Sequence, residues 1–271
     1  MAENESIAAT GAPESGVRTP HPAVRWIARI GVLLGIGAPL AALAMALMTG
    51  AGWLGWQISL MSLFYLPWVA MAGGLLCTIA LIFLMIGKHW RRALWPVVGI
   101  VVAAAFVGIV SYTFGKAATV PPIHDITTDL SNPPAFETLT LRADNRTAMP
   151  PVEGDPAMAW REWHETAYPD IQPIIVPVSV PETIAAAERL VEERGWELAA
   201  ADPATGRLEA TETVSIYRFK DDVVLRVTPN PNGPGSVVNM RSVSRVGISD
   251  LGVNAERVRA FLADLSAATA G

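Results

Sequence analysis

The stretch Leu66–Ile86 reads LPWVAMAGGLLCTIALIFLMI and contains no charged side chain. A bilayer core of roughly 30 Å needs about 20 consecutive apolar residues in a helix, so this stretch alone predicts a membrane span. Working outward, a second apolar run extends from Ile27 or Ile30 to Met48, and a third from Ala93 to Phe114. The middle span lies within Ile58–Ile86. Its approach, Trp53–Tyr65, is expected along the interface, with Pro67 opening the buried helix because proline fits a first helical turn. Trp53, Trp56, Trp68, Trp90 and Trp95 fall near span ends, where amphipathic rings prefer the headgroup layer. Residues 116–271 read as an ordinary water-soluble domain.

Arginine and lysine set the orientation. Arg18, Arg25 and Arg29 precede the first span, and Lys88, Arg91 and Arg92 fill the loop between the second and third. The intervening loop Thr49–Gln57 has no charge. The positive-inside rule then puts the N-terminus and the 88–92 loop in the cytoplasm, and the C-terminal domain in the periplasm or outside. The expected location is the inner (plasma) membrane of a bacterial envelope, as a multi-pass protein. About 29 residues precede the first apolar run, which is long for the core of a signal peptide, so an uncleaved anchor is expected.

Charge and cysteine fit that division. The first 115 residues hold six basic and three acidic side chains, and the remainder fourteen and twenty-two, for −5 overall. An acidic external domain makes a poor partner for nucleic acid, whose phosphates need a basic surface. The lone cysteine, Cys77, lies inside the second span, so the domain must rest on its own core without a disulfide. No acid or base interrupts the spans, which argues for an anchor rather than a transport path. Gly31 and Gly35 form a G-x-x-x-G pair that could draw helices together, although glycine is common in membrane helices.

Residues 1–26 are expected to be a disordered tail, 27–114 the anchor, 115–156 a proline-rich connector and 157–271 the α+β domain. In the connector, His124, Asp125 and Asp129 have metal-compatible chemistry, but a solvated turn is the expectation and no metal or cofactor is assigned. A short helix over Ala157–Thr166 places Trp160 and Trp163 on one face. Ile174–Val178 reads as a strand. Ser179-Val180-Pro181-Glu182 has the form of a capping box and opens a helix that Gly195 ends. Strands are then expected at Trp196–Ala200, Arg207–Phe219, Val223–Thr228 and Val237–Ser244, with a tight turn at Lys220-Asp221-Asp222. Asn254 is the expected N-cap of a last helix, Ala255–Leu265. The order β-α-β-β-β-β-α with short links predicts an antiparallel sheet carrying both helices on one face, a two-layer α+β domain.

The string Arg241-Ser242-Val243-Ser244-Arg245-Val246-Gly247-Ile248-Ser249-Asp250-Leu251-Gly252-Val253-Asn254 resembles the closing motif of the DUF1499 family. Tyr168-Pro169-Asp170-Ile171-Gln172-Pro173 and the Asp125–Asp129 stretch look like that family's membrane-attached branch. The resemblance covers about residues 120–267. It implies a family of unknown function and supplies no reaction. Many relatives carry a cysteine-containing segment where this chain has His124–Asp129, so no thiol chemistry is inherited.

Arg241, Val243 and Arg245 alternate onto one side of a strand, and two arginines there could clamp a carboxylate or phosphate. The candidate ligand-binding set is Arg241, Ser244, Arg245, Asp250 and Asn254, set against a structural reading in which Asp250 pairs with Arg241 or Arg245 and pins the loop. No catalytic residue is assigned: nucleotide loops, nucleophile elbows and H-E-x-x-H spacing are absent from the sequence. The preferred function is a non-catalytic envelope module, working at the lipid bilayer, that binds a small or lipidic ligand or a partner protein. The rivals are an envelope hydrolase or transferase using Asp250 with Arg241 and Arg245, and a membrane scaffold.

Overall fold

A computed structural model describes residues 19–145, 147–214 and 216–270. Most of the N-terminal tail expected to be disordered, residues 1–18, lies outside the described residues. By contact, the described chain forms two compact units, one of residues 19–43 and 61–109, the other of residues 44–60 and 110–270.

Three helices, α1 (Pro22–Gly50), α2 (Trp56–Ile86) and α3 (Leu94–Ala117), are long and apolar enough to cross a membrane. Helix α1 starts before the expected position, because Pro22 suits a first turn and His21 Nδ1 accepts from the Ala23 amide at 3.2 Å. Pro67 lies inside α2 rather than at its start. Its missing N–H interrupts one ladder bond, which a helix of this length tolerates within an apolar bundle. The link between α2 and α3 is a short 3₁₀ turn, Trp90–Arg92, that carries two of the basic residues. Within the first unit the glycine pair brings backbones together. A Cβ on Gly31 would stand 2.7 Å from the Cys77 nitrogen, and one on Gly35 would stand 3.0 Å from the Gly99 carbonyl oxygen. Only hydrogen fits at these positions.

The second unit holds an antiparallel sheet of six strands: β1 (Asp125–Thr127), β2 (Ile174–Val176), β3 (Glu197–Asp202), β4 (Arg207–Val214), β5 (Phe219–Pro229) and β6 (Ser236–Ser244). Their spatial order is β1-β6-β5-β4-β3, with β2 also paired to β6. Three helices accompany it: α4 (Pro156–Ala167), α5 (Val180–Glu193) and α6 (Val253–Thr269). Asp155 caps α4 by accepting from the Ala157 amide. At α5 the Glu182 carboxylate accepts from both the amide and the hydroxyl of Ser179. The apolar core lies between one sheet face, with Leu208, Val223, Leu225, Val238 and Met240, and the stripes of α5 and α6, including Ile184, Val191, Phe261 and Leu265.

Three sequence expectations change. The proline-rich stretch contributes strand β1, which pairs with β6 at Asp125↔Val243 and Thr127↔Arg241, so His124 and Asp125 are buried rather than in a solvated turn. The β4–β5 turn lies between Val214 and Phe219, not at 220–222, with Arg218 in the left-handed region (φ 55°). Asp221 and Asp222 are instead buried strand residues, an arrangement possible because arginines from elsewhere neutralise both. Helix α6 begins two residues early, with Gly252 at the cap (φ 84°) and Asn254 inside the helix and fully buried.

Candidate functional site

Side-chain alternation along the strands puts Glu209, Thr211, Asp222, Arg226, Asn239, Arg241 and Arg245 on the sheet face away from α5 and α6. Asp125 joins them from β1, diagonal to Arg241 across the β1–β6 pair. Arg241 and Asp125 form a two-pronged ion pair: Nε donates to Oδ1 at 2.9 Å and Nη2 to Oδ2 at 2.7 Å. Both side chains are buried, and Arg241 Nη1 donates to the Pro134 carbonyl. The Asn145 amide donates to Asp125 Oδ2 at 2.6 Å, which fixes that amide's orientation. His124 Nε2 then lies 3.1 Å from Asn145 Oδ1, and His124 Nδ1 lies 3.1 Å from the Ile248 carbonyl. Both ring nitrogens lie within hydrogen-bond distance of oxygen atoms, so the ring is held at both ends.

Arg245 repeats the fork on Asp222, with Nε and Nη2 at 2.9 and 2.8 Å, and adds Thr211. The Asp222 hydrogen bonds raise its pKa above the ordinary arginine value. Its side chain remains 41% exposed, whereas that of Arg241 is 6% exposed.

Residues 129–142 run across this polar face as a strap. The buried Glu209 carboxylate accepts the amides of Glu137, Thr138 and Leu139. Arg207 donates to the Ala135 carbonyl and pairs with Glu137, and Arg226 holds Asp129 at 2.8 Å. Arg142 reaches the Gly247 carbonyl at 2.7 Å.

On the helix-side face a second polar cluster closes the end of the core. Arg257 pairs with Asp221 at 2.7 Å and with Glu212, and also donates to Ser242 and Asn254. The Asn254 amide donates to Ser244 Oγ at 3.0 Å and to the His124 carbonyl at 2.9 Å. Asp250 accepts from the backbone amides of Gly252 (2.8 Å) and Asn254 (2.7 Å), in the manner of a cap for α6. Burial raises its pKa, against the lowering effect of those two amides.

The five candidate residues are therefore divided by the sheet. Ser244 and Asn254 meet on the helix side with Asp250 beside them, while Arg241 and Arg245 point to the strap side. The expected pairing of Asp250 with either arginine is not formed. Asp250 satisfies helix amides, and the arginines take Asp125 and Asp222. Sequence reasoning missed Asp222, Asp221, Glu209, Arg257 and Asn145. One available signal was that arginines spaced four apart on one face of a central strand must find carboxylates within reach of that face.

Beside β1, Trp160 and His164 of α4 and its C-cap Tyr168 meet edge-on at one-turn spacing, with ring centroids 5.7 and 5.8 Å apart. Trp160 Nε1 donates to the Asp125 carbonyl at 2.8 Å, and His164 Nε2 accepts the Thr127 amide at 3.1 Å. Burial lowers the His164 pKa and pushes that of Tyr168 up to about 12. An open recess of about 340 Å³ lies between the start of the strap and α4, lined by Leu130, Ser131, Pro133, Met158, Trp160 and Arg161.

These features define a class: a two-layer α+β domain whose second sheet face is closed by a strap on buried ion pairs, preceded by three helices fit to cross a membrane. The chain belongs to the family described as "Protein of unknown function (DUF1499)", whose family model matches residues 125–265. That match starts at β1 and takes in the strap and most of α6, so the polar face lies within the family's own extent. A comparison with curated proteins finds no match.

Proposed function

We propose that this chain is a membrane-tethered recognition module without chemistry of its own, which presents its domain on the outer face of the plasma membrane to a partner protein of the envelope. One observation carries the reading. The charged groups that resemble a site in sequence bind each other or the backbone: Arg241 holds Asp125, Arg245 holds Asp222, Arg257 holds Asp221, and Asp250 serves α6. A hydrolase built on Asp250 with Arg241 and Arg245 would need them to share a substrate and to include an activated nucleophile. Their placement on separate sheet faces gives that reading no support.

The recess beside α4 is the proposed recognition surface. It is open, partly apolar, and rimmed by Met158, which is 70% exposed. Methionine adapts to varied apolar partners. Arg161 already donates to the Leu130 carbonyl, so the recess offers no unattached cation for a small anion.

A photo-crosslinking residue at position 158 of the full chain, in cells, tests this against the same probe at Asn232 in the β5–β6 loop. A discrete protein adduct at 158 and none at 232 is the expected result. Adducts to lipid alone at 158, or the same adducts at both positions, would overturn it.

A further inference from the structure

The β4–β5 hairpin ends in Ile216-Tyr217-Arg218-Phe219-Lys220. Residues 44–60, the junction of α1 and α2, belong to the same compact unit as this hairpin. Two contacts join them. The Trp56 ring meets the Phe219 ring edge-on at 5.9 Å, and a Cβ on Gly50 would stand 2.5 Å from the Ile216 carbonyl oxygen. Tyr217 stacks on Phe219 at 5.6 Å. The tip still presents apolar surface, for Ile216 is 42% exposed and the neighbouring Trp53 is 79% exposed.

Chain parity tells where this surface lies. If α1, α2 and α3 each cross a bilayer, the α1–α2 junction and the C-terminal end of α3 emerge on the same side. The junction carries Trp53 and Trp56, the residue type that settles at the headgroup level. A hairpin touching Trp56 is then at that level too. Charge points the same way. The part of the chain after residue 115 is acidic, yet residues 214–220 include Arg218 and Lys220 and no acid; Lys220 pairs with Glu197 at 3.1 Å, which leaves Arg218 as the positive charge of the tip. The two acids that follow, Asp221 and Asp222, are buried against Arg257 and Arg245. An anionic bilayer surface repels most of such a domain and attracts this tip.

We infer that the β4–β5 hairpin tip is a lipid-docking foot. Ile216, Tyr217 and Phe219 sit with Trp53 and Trp56 in the headgroup layer, and Arg218 meets lipid phosphates. The inference rests on the membrane reading of the three helices and is independent of the protein partner proposed above.

The test uses the full chain, carrying Cys77→Ala, in vesicles of mixed phosphatidylcholine and phosphatidylglycerol. An environment-sensitive fluorophore is placed on Ile216→Cys, and separately on Asn232→Cys in the loop at the other end of the β5 strand. Nitroxide-labelled lipids are expected to quench the probe at 216 several-fold more than at 232, with blue-shifted emission at 216 only. Equal, water-like behaviour at both positions would overturn the foot. Co-flotation with the vesicles reports the spans separately: a chain that floats with an unquenched 216 probe sinks the foot alone, and a chain that does not float sinks both. Should Ile216→Cys misfold, Arg218→Glu in the otherwise unchanged chain provides a second reading. Quenching of tryptophan fluorescence by brominated lipids should fall in anionic vesicles and not in neutral ones; no difference between the two lipids would count against the foot.

Discussion

The two faces of the sheet are covered by opposite chemistry. One face buries Leu208, Val223, Leu225, Val238 and Met240 under α5 and α6. The other buries Asp125, Glu209, Asp222 and Arg241 under an irregular strap. Apolar burial is proportional to area and nearly indifferent to direction, so the helix side depends on volume. The strap side depends on pairing. A buried ion pair adds little net stability, but removing one partner leaves an uncompensated charge. The strap uses carboxylate and guanidinium groups to fix one position on the sheet, with Leu130 packed against the core and Phe136 under the Arg241 guanidinium.

The contrast can be broken at its strongest point first. Asp125→Ala strands Arg241 in the interior and should cost about 3–5 kcal/mol. Replacing both partners, Asp125→Leu with Arg241→Met, should recover most of it. Global hydrogen-exchange protection of the full chain in detergent measures both; a double variant as weak as the single one would show that the pair supplies stability rather than placement. On the helix side Phe261→Ala should cost about 3–5 kcal/mol through a cavity, and no partner deletion should rescue it. A next, smaller effect is expected for Glu209→Gln, about 1–3 kcal/mol from under-satisfied amides. Its signature is local: amides 137–139 should exchange faster while those of α5 and α6 keep their protection. Uniform loss across the domain would mean that the two faces are not separable.

The smallest effect sharpens the comparison by pH. Burial lowers the His164 pKa, so the folded state holds a proton there less tightly than the unfolded chain. Stability should be fully present above the unfolded value, about 6.5, and fall as pH drops from there toward the lower folded pKa. Protonation of Nε2 removes the acceptor for the Thr127 amide, the tie between α4 and β1. His164→Gln, which keeps an acceptor without titrating, should flatten the slope between about pH 7 and 5. Equal slopes in the two proteins, measured by denaturant midpoint, would remove His164 as the cause.

What was legible in the sequence was mostly what neighbours in the chain decide. The three long apolar helices follow from local composition, and α5 from Ser179 and Glu182, three residues apart. The antiparallel sheet follows from alternation and short links. What escaped depends on partners far away. Three residues, Asp125–Thr127, carry no strand signal among prolines; they become β1 only because β6 offers an edge. Asp221 and Asp222 look like a solvent turn until Arg257 and Arg245 are placed beside them. Asn254 has the right chemistry for a cap, but Gly252 takes the left-handed conformation two residues earlier and Asp250 supplies the oxygens. Of the candidate residues, the side-by-side placement of Arg241 and Arg245 was readable; what each would hold was not.

The separation of β1 from its partner strand also sets a schedule for manufacture. Asp125 and Arg241 are 116 positions apart, and a ribosome adds about 5–20 residues per second. The first acid of the pair therefore waits on the order of 10 s for its cation, while the three apolar helices that precede it are already synthesised. During that interval the nascent domain lacks β6, the strand on which β1 pairs and from which Arg241 reaches Asp125. A chaperone or protease would meet it then as an open chain following three completed apolar helices, which makes the delivery of β6 the step that ends its exposure.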